Sequence, residues 1–256
     1  MELSLENKTA IVTGGSRGIG LGIAKAFHDA GGNVMLTSRK AEGLREAIES
    51  LGGGERLHYA TGHVGHAEDA VRVVDETIAH FGGVDVLVNN AATNPHAGPM
   101  IDCEVSKFDK TFEVNLRGPF VWTQYAYERW MKEHGGSVIN ISSSGGYQTS
   151  AALGVYCVLK AALMQMTKQL AAEMGPAVRV NAIAPGLIRT DFARVLWDGE
   201  RGDQIAQMYP MKRLGEPSDI GDAALWLAAG APWVTGVTIP VEGGELVSVE
   251  SELELS

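Results

Sequence analysis

Lys8-Thr9-Ala10-Ile11-Val12-Thr13-Gly14-Gly15-Ser16-Arg17-Gly18-Ile19-Gly20 opens with a short apolar strand that runs straight into a glycine turn. Residues 21–30 follow with helical apolar spacing, and Gly31-Gly32 stops them. Strand, glycine turn and helix come in the order that a dinucleotide-binding βαβ unit requires. Glycines let the backbone turn tightly and approach a pyrophosphate, whose charge is stabilised by the free N–H groups and dipole of the helix N-terminus. Gly14, Ser16, Arg17, Gly18, Ile19 and Gly20 are therefore candidate cofactor contacts. The spacing is T-G-x-x-x-G-x-G, not G-x-G-x-x-G, so the general dinucleotide pattern is only partly met. A merely flexible glycine loop is the alternative, and the strand-to-helix context argues against it.

Beyond this unit, strand-like runs at residues 10–13, 33–38, 56–60, 84–89, 137–141, 179–183 and 237–241 alternate with helical ones. Regular alternation predicts an α/β fold, a Rossmann-type doubly wound parallel sheet of about seven strands with helices on both faces. Ligands bind such a sheet at the carboxyl ends of its strands, near the point where strand order reverses. Gly14, Ser38, Asn89, Ser143 and Pro185 each fall at such an end. No internal repeat or low-complexity segment interrupts the pattern, and residues 1–256 read as one domain. The tail at 245–256, where Glu250, Glu252 and Glu254 alternate with Ser and Leu, reads as a frayed end or a short edge strand without chemistry.

Composition excludes several classes. A net charge of −10 argues against a nucleic-acid footprint, which needs clustered Lys and Arg. No apolar run approaches the ~20 residues of a membrane helix, and the N-terminus lacks a signal peptide's basic start and apolar middle. A cytoplasmic location is expected, since the final Leu255-Ser256 is also not the S-K-L address. Cys103 and Cys157 are too few for a disulfide framework. Cys157 is open to two readings, a redox switch or a small thiol filling space, with the second favoured. No metal site is expected.

Tyr156 and Lys160 stand four residues apart, and Ser143 lies thirteen positions before the tyrosine. A helix puts i and i+4 on one face, so an ammonium can sit beneath a phenol while a strand end delivers a hydroxyl to the same point. Such a trio can protonate a carbonyl oxygen. Alone, a Tyr-x-x-x-Lys pair is common on helix surfaces.

Taken with the glycine motif, Asn89-Asn90-Ala91-Ala92, Asn115 and Pro185-Gly186, the trio resembles the short-chain dehydrogenase/reductases. The likeness runs from about Leu5 to Gly244, with its motifs in family order. Ser38-Arg39-Lys40, Gly62-His63-Val64-Gly65 and Arg213-Leu214-Gly215-Glu216-Pro217 are most similar to NADP-dependent carbonyl and retinal reductases of that family. The resemblance implies hydride transfer between NADP(H) and a carbonyl or secondary alcohol, a small-molecule substrate. It casts Tyr156 as proton donor, Lys160 as the group that tunes it and holds the nicotinamide ribose, Ser143 as a donor to the substrate oxygen, and Asn115 as the anchor of a water. A core asparagine at a helix irregularity is the plainer account of Asn115. Ser142 and Ser144 flank Ser143 and could replace it, although the interval to Tyr156 favours Ser143. The resemblance adds His63, Val64, Asn89, Ala91, Pro185, Gly186, Ile188 and Thr190 to the cofactor contacts. One departure is Leu159, where the family commonly has serine; it removes no proton-transfer group. His96 either approaches substrate or is a solvated loop histidine, the second favoured.

Cofactor choice rests on the end of the second strand. NAD-specific relatives place an acidic residue there, and this chain has Thr37-Ser38-Arg39-Lys40. Arg39 offers a planar fork for phosphate oxygens and Ser38 a hydroxyl, with Arg17 able to approach the same group. NADP(H) is expected over NAD(H); the bland alternative is that Arg39 and Lys40 solvate a helix start. Apolar Ala161, Ala162, Leu163, Met166, Leu170 and Ala171 exceed one buried stripe, which predicts a homotetramer or homodimer unless the helix is simply more deeply buried. A 3-oxoacyl thioester reductase and a catalytically silent cofactor-binding regulator are the alternative functions.

Overall fold

The computed structural model describes residues 3–247. Its elements are β1 (Thr9–Thr13), α1 (Gly18–Asp29), β2 (Asn33–Ser38), α2 (Ala41–Ser50), β3 (Leu57–Thr61), α3 (Ala67–Phe81) and β4 (Val86–Asn89). Then come α4 (Val105–Phe112), α5 (Gly118–Ala126), α6 (Lys132–His134), β5 (Gly136–Ile141), α7 (Gly154–Met174) and β6 (Val178–Pro185). The chain closes with α8 (Arg194–Trp197), α9 (Glu200–Met208), α10 (Pro217–Leu225) and β7 (Thr238–Val241). All strand pairs are parallel, in the order β3-β2-β1-β4-β5-β6-β7. Strand order reverses between β1 and β4, which opens a crevice at their carboxyl ends. The expected strand boundaries shift by no more than two residues, the amino end of β4 and the carboxyl end of β6 moving most.

Successive residues of β1 supply opposite faces, as the two-residue period of a strand demands. Ala10 and Val12 pack with Ile23 and Phe27 of α1, Leu44 of α2 and Ile220 of α10. Ile11 packs with Val73 and Val74 of α3, Trp122 of α5 and Leu170 of α7. Both faces are thus covered, and β1 reads as a continuous apolar run because neither side meets water.

Helices α4 to α6 form one rod broken by two π-turns, Glu113–Arg117 and Tyr127–Met131. A π-turn inserts an extra residue in the ladder and is frequent at functional sites. The first places Asn115, fully buried, so that its Oδ1 accepts the Thr93 N–H at 2.8 Å and its Nδ2 donates to the Thr93 carbonyl at 2.9 Å. Helix α7 buries Leu163, Leu170 and Ala171 in the core. Those three members of its apolar excess are therefore accounted for within one chain, leaving Ala161 exposed and Ala162 and Met166 half-buried.

Buried polar side chains tie the helices to the sheet. Asn89 Nδ2 donates to Asn140 Oδ1 at 2.9 Å and to Thr123 Oγ1 at 3.1 Å, and Asn140 Nδ2 donates to Thr167 Oγ1 at 2.9 Å. The chain of contacts spans β4, β5, α5 and α7. Leaving any member unpaired costs roughly 1–3 kcal/mol, so the network holds α7 at one height along the sheet. Residues 245–247 form a short 3₁₀ turn, and the rest of the acidic tail lies outside the described residues.

Candidate active site

The glycine turn is built for close backbone approach. Gly14 and Gly18 adopt φ of +67° and +56°, where L side chains are strained. A Cβ on Gly14 would come within 2.8 Å of Asn90 Nδ2, and one on Gly20 within 2.3 Å of the Gly14 carbonyl oxygen. Arg17 at the N-cap of α1 is extended, no side chain caps the first turn, and no acidic residue enters it. The uncapped N–H groups of the first turn, at Gly18, Ile19 and Gly20, thus meet the requirement of a diphosphate. Thr13 and Asn90 brace the turn: Asn90 N–H donates to Thr13 Oγ1 at 2.9 Å and Asn90 Nδ2 to the Thr13 carbonyl at 2.8 Å. Both residues lie inside motifs quoted above, and only the fold reveals that one supports the other.

The other expected cofactor contacts ring this turn. Ser38 ends β2, its hydroxyl donating to the Lys40 carbonyl at 3.4 Å, and Arg39 is exposed. Arg17 is not free in this structure; its guanidinium lies 3.8 Å from Asp191. Both partners are exposed, and such a pair contributes little against a competing anion. His63 donates its N–H to Asp69 at 2.9 Å, and the Val64 carbonyl accepts from Trp122 Nε1 at 3.2 Å. Asn89 directs its side chain into the core network, which leaves its backbone at the strand end. Ala91 N–H donates to Thr13 Oγ1 at 3.2 Å. Pro185 ends β6, and a Cβ on Gly186 would press to 2.9 Å on Glu242. Ile188 is buried, while Thr190 reaches the glycine turn, its Cγ2 being 3.1 Å from where a Gly18 Cβ would lie. Asp191 and Asp69 carried no signal in the sequence, since an acidic residue is ordinary in a loop and in the first turn of a helix.

Tyr156, Lys160 and Ser143 come together where β5 meets α7. Lys160 is 2 % exposed, its Nζ donating to the Ile141 carbonyl at 2.6 Å and lying 5.4 Å from the Tyr156 ring centroid. Ser142 turns away, its hydroxyl donating to the Lys160 carbonyl at 2.9 Å. That bond consumes one of the two alternatives to Ser143. Ser144 is buried and starts a 3₁₀ turn, whereas Ser143 Oγ accepts the Gly145 N–H at 3.1 Å beside the phenol. Burial pushes the Tyr156 phenol up to about 12, with the Ser143 hydroxyl pulling it down. Burial also lowers the Lys160 ammonium to about 7. Each shift favours the neutral form, because both groups leave water for a low-dielectric setting. Cys157 is buried against Gly145, its thiol pushed up by burial, which suits a space-filling residue. Leu159 is buried too, and His96 rests its Nε2 3.0 Å from the Pro99 carbonyl.

Known proteins are similar to this chain in sequence and fold. A family profile described as enoyl-(acyl carrier protein) reductase matches residues 14–245. The dehydrogenase/reductase SDR family member 4 of Sus scrofa is 41% identical over 244 residues, covering 94% of this chain and 88% of that protein. The chain belongs to the short-chain dehydrogenase/reductase family. Tropinone reductase-like 3 of Erythroxylum coca is 38% identical over 242 residues, with 93% of each chain covered. Among solved structures, a short-chain dehydrogenase/reductase of Brucella melitensis superposes with a TM-score of 0.90 at 34% identity, over 95% of this chain and 98% of that one. A blue fluorescent protein from a metagenomic library, solved in complex with NADPH, gives 0.84 at 32% identity, over 94% and 98%. Membership makes the chain an oxidoreductase that uses a nicotinamide cofactor on small molecules. No helix among the described residues is long and apolar enough to cross a membrane.

The buried ammonium has a measurable consequence. The unfolded chain holds the Lys160 proton to about 10.5 and the folded chain only to about 7. Between those values the unfolded state binds more protons, so this group makes stability rise with pH, by about 1.4 kcal/mol per unit. Urea unfolding at pH 7 and pH 9.5 should therefore show wild type gaining stability relative to Lys160→Met. Equal pH slopes in the two proteins would refute the assignment.

Proposed function

We propose that the chain is an NADP(H)-dependent reductase of carbonyl compounds, and dehydrogenase of the matching secondary alcohols, with Tyr156 as general acid and base. The observation that carries this reading is a protonated phenol held beside Ser143 and above a buried lysine, at the carboxyl edge of the sheet. The nicotinamide, when bound, supplies or accepts the hydride. Ser143 donates a hydrogen bond to the carbonyl oxygen, on which negative charge grows, and Tyr156 delivers the proton. Lys160, able to take up a proton as the phenol loses one, holds the resulting phenolate. The Asn115 side chain is spent on Thr93, so it acts by fixing the π-turn and the loop after β4, and any water it holds would rest on its neighbouring backbone.

The cofactor's diphosphate would lie on Gly14, Ser16, Gly18, Ile19 and Gly20, and its 2′-phosphate between Ser38 and Arg39, with Arg17 released from Asp191. The neighbour solved with NADPH supports NADP(H) over NAD(H). Exposed apolar residues on the loops after β4, β5 and β6 suit an apolar carbonyl compound: Met100 and Ile101, Tyr147, and Phe192 and Val195. The description of the family profile names an acyl-carrier substrate, which favours a second reading, reduction of a 3-oxoacyl thioester. A silent regulator would need no intact Tyr, Lys and Ser trio. Assay with NADPH against ketones, aldehydes and 3-oxoacyl esters separates these three readings, and inactivity on every compound would remove the enzyme.

If Tyr156 transfers the proton, Tyr156→Phe should lower turnover by roughly 10² to 10⁴ while leaving NADPH affinity nearly intact. Turnover close to wild type sinks that role. Arg39→Ala should weaken NADPH binding by roughly 1–3 kcal/mol and leave NADH binding little changed, as expected for loss of a charged hydrogen bond. Equal kcat/KM with both cofactors in wild type overturns the preference. Phe112, Phe120 and Val158 expose apolar surface on α4, α5 and α7, which supports a homotetramer or homodimer. Light scattering that returns the monomer mass at micromolar concentration would dispose of the assembly.

A further inference from the structure

The loop after β3 meets the first π-turn of the long helical rod, and two histidines face a glutamate there. The ligating atoms of His63, His66 and Glu113 all lie within 4.8 Å of one another. We propose that these three side chains form a binding site for a divalent transition-metal cation of the zinc class. The site departs from the expectation of no metal, and it stands apart from the reading of Tyr156 and its neighbours.

Four observations carry it. Two imidazoles and one carboxylate are a donor set that borderline cations such as zinc accept, with a fourth position left for water. The spacing is close to what a metal needs: His63 Nδ1 lies 3.8 Å from Glu113 Oε1. Ligands about 2.0–2.1 Å from a tetrahedral zinc stand about 3.3 Å apart, so this pair must close by about half an ångström and separations at the 4.8 Å limit by about 1.5 Å. The loop is pre-shaped, because His63 N–H donates to Asp69 at 2.9 Å and His66 N–H to the His63 carbonyl at 2.9 Å. A Cβ on Gly65 would fall 2.0 Å from Glu113 Oε1, so only glycine there lets the carboxylate press against the histidine loop. Finally, two of the three residues already hold a cation, His63 through its other ring nitrogen. Lys110 Nζ sits 2.9 Å from Glu113 Oε1 and 3.1 Å from His63 Nε2.

Metal binding requires three local adjustments. The His63 and His66 rings are stacked at 4.4 Å with 28° between their planes, which keeps their lone pairs from converging fully. The His66 side chain is 53% exposed and has room to turn, and Asp69 Oδ2, 3.7 Å from its Nδ1, would orient the ring from outside the coordination shell. His63 Nδ1 must also release the Gly65 N–H, now 3.0 Å away, to water. Lys110 leaves with its charge replaced by that of the ion.

Isothermal titration of the full chain with zinc chloride tests the proposal. Wild type should bind one zinc with micromolar affinity, and His66→Ala and Glu113→Gln should each weaken it at least tenfold. His80→Ala removes half of a separate histidine stack, with His58, and should change nothing. Lys110→Met, which removes the competing ammonium, should bind more tightly. His66 is on the surface, so its variant folds even if Glu113→Gln does not. Absence of saturable binding in wild type, affinity retained in His66→Ala, loss in His80→Ala, or no gain in Lys110→Met would each overturn the site.

Discussion

A two-way clamp between the end of β5 and the first turns of α7 sets the geometry of the site. Lys160 sends its ammonium to the Ile141 carbonyl, and Ser142 returns a hydrogen bond to the Lys160 carbonyl. Both links are buried, where a broken bond leaves an unsolvated polar group. The clamp therefore fixes the height and rotation of α7 relative to the sheet. Tyr156, one turn earlier on the helix, can only sit beside Ser143, the next residue along from the clamp. The same burial that makes the clamp stiff also lowers the ammonium and raises the phenol, so position and acidity have one origin.

The second constraint is the reversal of strand order between β1 and β4. There the two neighbouring helices leave on opposite faces, and the strand ends are open. Thr13 and Asn90 close the floor of this crevice, while the glycines keep its wall free of side chains. Gly22 and Gly221 let α1 and α10 pack with backbone almost touching, since a Cβ on Gly221 would reach the Gly22 carbonyl at 2.7 Å. This close pairing holds the N-terminus of α1 aimed at the crevice.

The loops beyond the strand ends obey weaker constraints. Arg17 pairs with Asp191 across the mouth, and Thr190 approaches the glycine turn, so the segment after β6 touches the region a diphosphate would occupy. These contacts are exposed and individually weak, which suits a segment that must give way to a ligand. Exposed Met, Phe, Tyr and Val side chains on the segments after β4, β5 and β6 lie around the same mouth.

The amino-acid sequence by itself determined the parallel α/β order, the glycine turn and the grouping of Ser143, Tyr156 and Lys160 into one candidate site. Those features rest on local rules: a two-residue period in strands, an i to i+4 period in helices, and the need for glycine where φ is positive. Tertiary structure alone decided what those residues do to one another. Ser142 and Ser143 are adjacent and chemically alike, yet one is spent on the Lys160 carbonyl and the other faces the phenol, because the extended chain just past β5 still alternates its faces. Asn89, read as a cofactor contact, turns its side chain into a core network that joins residues up to 51 positions apart. Asn115 lies on a π-turn that no periodicity announces, and its partner Thr93 is set by the fold. His63 and His66 meet Glu113 across about fifty positions, and Arg17 meets Asp191 across far more. Charge and hydrogen bonding act through space over a few ångströms, so which pairs form depends on how the sheet and helices pack and not on spacing along the chain.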